Sequence, residues 1–117
     1  MKKCYSMNDK DKKNLEYLLY HCKRLQRHVD YFGDDWIEYS TNEHYQAACG
    51  LEIVEIGEYI KRLSPEFLEE HPQIDWSGLI GLRIIHAHHY EGIMYDLVWE
   101  VIKRDIPELK NYLEKLL

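Results

Sequence analysis

Leu15, Leu18, Cys22, Leu25 and Val29 recur at alternating steps of three and four residues, with Leu19 beside them. That spacing lines up one apolar stripe on a helix of 3.6 residues per turn and would scatter it over both faces of a strand. It predicts a first helix from about Asp9 to Val29 or Asp30, stopped by Gly33. The pattern returns in Tyr45, Ala48, Cys49, Glu52, Ile56, Tyr59, Ile60 and Leu63, with Ile53 alongside. This is one face of a second long helix, and Glu52 is its only charged member. A polar loop, Asp34 to Tyr39, should lead into it, and Ser40 with Glu43 three residues later predicts a capping box at its start. Gly50 and Gly57 fall inside the helix, each at a cost of about 1 kcal/mol relative to alanine, so a neighbouring element is expected to approach closely there.

Ser64-Pro65 repeats a helix start, serine as cap and proline at the first helical position, for a short helix that His71-Pro72 ends. Asp75 then caps a helix beginning at Trp76, with Leu79, Ile80 and Arg83 along one side, loosening near His88 and ending by Gly92. Leu97, Val98, Val101 and Ile102 mark another helix, and Pro107 opens or kinks its continuation through Leu109, Tyr112, Leu113 and Leu116. No segment alternates long enough to make a strand. The expectation is an all-α, up-and-down bundle of about five helices, one domain over residues 1–117, with 45% apolar residues to fill its core.

No run of about 18 apolar residues is present to span a bilayer, and the start, Met-Lys-Lys-Cys-Tyr-Ser-Met-Asn-Asp, lacks the apolar stretch of a signal peptide. A cytoplasmic protein is expected. Cys4, Cys22 and Cys49 are odd in number and form no ligand pairs, which suits reduced buried thiols. The net charge is −6, yet residues 1–30 carry eight Lys/Arg against four Asp/Glu. On the face opposite its apolar stripe the first helix presents Lys13, Tyr17, Tyr20, Arg24, Arg27 and Tyr31. Such a stripe could follow a phosphate backbone, pack on a second subunit, or remain a solvated face.

Chemistry concentrates in residues 81–90, Gly-Leu-Arg-Ile-Ile-His-Ala-His-His-Tyr. Arginine is a permanent cation whose planar fork suits a phosphate, and histidine exchanges a proton near neutral pH. Arg83 and His88, with Tyr90 two residues on, therefore suit a phosphodiester. A five-residue step turns about 140° around a helix, so Arg83 and His88 share a groove only if the helix loosens between them. Arg83 could also simply pair with an acidic residue of the bundle, and Glu58 could orient a motif residue, although a plain surface glutamate is the commoner outcome. His86 and His89 are three apart, but no paired ligand set completes a metal site with them, and no metal or other cofactor is expected.

The arginine, four residues, histidine, one residue, tyrosine pattern of Arg83, His88 and Tyr90 resembles the motif of the HepT branch of the HEPN superfamily. Glu55-Ile-Gly-Glu58, Ile74-Asp-Trp76, Gly81-Leu-Arg83, Val98-Trp-Glu100 and Asp105-Ile-Pro107 resemble that family in order and spacing, so the likeness covers nearly the whole chain. The resemblance implies the toxin of a toxin–antitoxin pair, with a minimal nucleotidyltransferase as antitoxin. It implies a homodimer with two motifs facing one cleft, and a metal-independent endoribonuclease in which Arg83 and His88 are catalytic. Tyr90 would be the acceptor of adenylyl groups, and RNA would pass over cations such as Lys13, Arg24 and Arg27. One position departs from the pattern: Ile84 follows the arginine where the family commonly has asparagine, and an apolar side chain there offers no hydrogen bond. The alternative is a non-catalytic helical module that binds a nucleotidyltransferase.

Overall fold

The computed structural model describes residues 7–87 and 95–117, with backbone alone for residues 84–87. Every described element is helical: α1 (Asp9–Phe32), α2 (Trp36–Thr41), α3 (Glu43–Lys61), α4 (Pro65–Glu70), α5 (Trp76–Ala87), α6 (Tyr95–Glu100), a π-helical segment (Val101–Asp105) and α7 (Ile106–Leu116). The all-α expectation holds. Helix α3 is the hub, packed against α1, α5 and α2, while α7 lies against α1. No helix among the described residues is long and apolar enough to cross a membrane.

The stripe of α1 is buried along its length, Leu15 to Val29. The helix runs two residues past the expected end and stops at Gly33, whose φ of 115° a side chain would strain. There the Tyr45 hydroxyl donates to the Gly33 carbonyl at 2.9 Å, fastening the turn to the start of α3. Cys22 and Cys49 are free and fully buried, and burial pushes both thiols up to about 12, so they stay protonated. Cys4 lies outside the described residues.

Two local expectations are corrected. The loop placed at Asp34 to Tyr39 is mostly the helix α2, capped by Asp35, whose carboxylate accepts from the Glu38 amide at 3.1 Å. The cap of α3 is Asn42 rather than Ser40: its side chain accepts from the amides of His44 and Tyr45 at 2.9 and 3.2 Å, while the Ser40 hydroxyl turns back to the Ile37 carbonyl. Burial favours the first, although the Tyr39 hydroxyl finds no partner among the described residues. Tyr39 is fully buried, stacked on Trp99 with centroids 5.1 Å apart. Removing a ring of that size from water yields on the order of 2 kcal/mol, which outweighs helix-propensity penalties of about 0.5 kcal/mol per residue.

Elsewhere the caps fall where the sequence puts them. Ser64 caps α4, its hydroxyl accepting from the Phe67 amide at 3.2 Å and donating to buried Asp11 at 2.6 Å, which ties α4 to the first turn of α1. Pro107 acts by widening the helix. Proline supplies no N–H and its ring crowds the carbonyl four residues back, and the Ile106 amide reaches the Val101 carbonyl five back.

Inside α3, Glu52 is fully buried and accepts from His21 Nδ1 at 2.7 Å, His28 Nε2 at 2.8 Å and Arg24 Nε at 3.0 Å, all from α1. Three donors on one carboxylate replace the water it gave up. Glu52→Ala should cost about 2–3 kcal/mol, because its partners can rehydrate only in part. A urea unfolding midpoint that moves by less than the equivalent of about 0.5 kcal/mol would show that the cluster does not hold α1 to α3.

Candidate functional site

The site is built where α5 crosses α3. The Asp75 carboxylate caps α5 by accepting from the Gly78 amide at 3.1 Å, and the buried Trp76 indole donates to the His71 carbonyl at 2.8 Å. Trp76, Leu79 and Leu82 are buried, which sets the rotation of α5 and brings Arg83 onto α3. A side chain at position 57 would be tight there: a Cβ on Gly57 would stand 3.0 Å from the Arg83 Cβ, which would have to give by a few tenths of an ångström, and 3.6 Å from the Leu79 carbonyl oxygen. The close approach expected at this glycine is made by Arg83 itself.

Arg83 then reaches along α3 and donates from Nη1 to Glu58 Oε1 at 2.9 Å, with the two side chains 25% and 35% exposed. An ion pair so wetted contributes at most about 1 kcal/mol to stability. Its consequence is orientation. Glu58 holds one end of the guanidinium, while Nε is buried without a partner among the described residues. A guanidinium anchored on one edge keeps its charge and further donors for an anion.

The other candidates fall differently. His88, His89 and Tyr90 lie outside the described residues, as do the side chains of Ile84 and His86. Lys13 and Arg27 are exposed on α1. Arg24 sits beside Glu52, and its Nη1 also donates to the Tyr20 hydroxyl at 3.4 Å; that hydroxyl and the Glu52 carboxylate together hold the guanidinium pKa above its usual value. Sequence reasoning missed His21 and His28 as partners of Glu52. The signal was present: His21, Arg24 and His28 lie on α1 at steps of three and four beside the apolar stripe, facing the one charged member of the α3 face. Among the described residues, no group of three His, Cys, Asp or Glu side chains is placed to hold a metal ion.

The family model described as ribonuclease HepT-like matches residues 18–116. The chain belongs to the HepT-like ribonuclease family. That match takes in most of α1 and every later element, Glu58 and Arg83 included. A candidate RNase of Caldanaerobacter subterraneus subsp. tengcongensis is 31% identical over 103 residues, 88% of this chain and 90% of that protein. A candidate RNase of Methanocaldococcus jannaschii is 37% identical over 82 residues, 68% of this chain and 73% of its own length. A protein of Thermococcus cleftensis named as a candidate ribonuclease HepT is 39% identical over 66 residues, 56% of this chain and 58% of that one. No solved structure matches.

If Arg83 acts on the RNA, the Glu58–Arg83 pair makes a specific demand. Glu58→Ala should lower RNA cleavage by about 10²-fold, the scale of misplacing a positioned group by roughly 1 Å, whereas Glu58→Gln, whose amide oxygen still accepts, should keep most of it. Equal cleavage by wild type and Glu58→Ala would show that the pair plays no part in placing Arg83.

Proposed function

We propose that this HepT-like protein is the toxin of a toxin–antitoxin pair and cleaves RNA without a metal ion, with Arg83 and His88 as its catalytic residues. The observation that carries the reading is Arg83 itself, held on one edge by Glu58 and seated over Gly57, in a chain that belongs to a ribonuclease family. His88 takes the proton of a ribose 2′-hydroxyl as that oxygen attacks phosphorus, and a second His88 returns a proton to the departing 5′-oxygen. Arg83 stabilises the charge that builds on the phosphoryl oxygens. Acid and base must be separate groups and each chain supplies one histidine at the motif position, so the active form is a two-fold homodimer with both motifs on one groove. The partner is a minimal nucleotidyltransferase antitoxin, and Tyr90 accepts adenylyl groups from it. A nucleotide phosphate at that position adds negative charge and bulk where the RNA phosphate binds.

Ile84 favours one other reading, a non-catalytic module that only binds a nucleotidyltransferase, since the position after Arg83 offers no side-chain hydrogen bond. One experiment separates the two. Purified wild type should cut RNA in excess EDTA, and Arg83→Ala and His88→Ala should each reduce cutting by at least about 10²-fold. An uncut substrate with wild type supports the binding module, and cutting that survives in either variant overturns the assigned residues.

A further inference from the structure

Between α1 and α3 the chain builds an aromatic surface that the proposed chemistry does not use. Tyr17 and His21 stand one turn apart on α1, and both stack against Tyr59 of α3, at centroid distances of 5.2 and 5.6 Å and interplanar angles of 23° and 22°. Tyr20 meets His21 edge-on at 5.1 Å. Cations are interleaved with the rings: the Arg62 guanidinium lies 4.7 Å from the Tyr59 centroid and that of Arg24 lies 5.8 Å from the Tyr20 centroid. Tyr17 and Tyr20 are 44% and 48% exposed, so each leaves much of its ring in water.

The surface is also preorganised. His21 is fixed through Nδ1 to Glu52, and Arg24 is fixed to the same carboxylate, so the rings and one of the cations are held before any ligand arrives. Rings already held in place lose little entropy when a ligand stacks on them.

We propose that the exposed rings of Tyr17 and Tyr20, backed by Tyr59, form a base-stacking platform for single-stranded RNA, with Arg24 and Arg62 drawing its phosphates. The proposal rests on the ribonuclease reading and names where that substrate is held. Every base offers a π-face to a tyrosine whatever its sequence, and fixed guanidiniums attract the connecting phosphates. The Glu55 carboxylate lies 3.8 Å from His21 Nε2, so an acidic group also borders the surface. A second copy of this chain is the competing occupant of the surface, and the test separates the two.

The test is fluorescence anisotropy with a labelled 2′-O-methyl oligoribonucleotide, which lacks the free 2′-hydroxyl and is bound without being cut. Tyr17→Leu with Tyr20→Leu should weaken binding by about tenfold or more while the thermal melt stays in place, and the two Tyr→Phe changes should keep affinity within about twofold. Should the leucine pair fail to fold, Arg62→Gln, a change at an exposed side chain, should weaken binding several-fold in its stead. Unchanged affinity in the folded leucine variant overturns the platform. So does a variant that loses self-association by sedimentation while it binds RNA as before, which gives the surface to a second copy. RNA cutting by wild type and the leucine variant alike, at equal affinity, sinks the platform and leaves the ribonuclease reading standing. Tyrosine-dependent binding by a wild type that cuts nothing supports the platform and sinks that reading.

Discussion

Glu52 is a carboxylate with no water around it, and the bundle is arranged to satisfy it. Its oxygens fix three side chains of α1, which sets the rotation and height of α1 against α3. Five residues further along α3, about 140° around its axis, Gly57 removes the side chain that would keep α5 away. The hub helix is thus approached on two sides by different means, an ion cluster on one and an absent Cβ on the other. The aromatic surface and Arg83 are both positioned by this one helix, on different sides of it.

The division explains what could be read from the sequence. The stripes of α1 and α3 were legible because burial imposes the helical period directly on residue order, and the start of α4 because Ser64 and Pro65 act locally. Gly57 could be read as a close approach and Glu58 as a candidate to orient a motif residue, since both lie in the long helix that the period defines. The helix over Trp36–Thr41 and the Asn42 cap were missed. The Asp35–Glu38 and Asn42 caps are local signals that Ser40 and Glu43 masked, while the burial of Tyr39 against Trp99, sixty residues away in sequence, is not local. The donors to Glu52 were missed for a related reason: a histidine beside an apolar stripe reads as surface until the carboxylate opposite it is known to be buried.

Charge follows the same logic of placement over total. A chain with a net charge of −6 has no general attraction for nucleic acid, so any anion must be drawn by cations held in particular positions. Arg83 is held by Glu58 and Arg24 by Glu52, each acid fixing a base without removing its charge. Acidic residues here act as mounts for the cations. Membership of the HepT-like family gives such mounted cations a substrate class, and the motif proposed for the reaction needs no further charge than Arg83 and two histidines supply.

The chemistry assigned to Arg83 and His88 leaves its signature on the product. Attack by the ribose 2′-hydroxyl expels the 5′-oxygen of the next nucleotide and closes a five-membered ring on the phosphorus. Mass spectrometry of the fragments from an RNA oligonucleotide cut by the purified wild type reads this directly. The mechanism requires a 2′,3′-cyclic phosphate on one fragment and a 5′-hydroxyl on the other. Fragments ending in a 3′-hydroxyl and a 5′-phosphate would mean that water attacked the phosphorus, and the roles given to the two residues would be wrong.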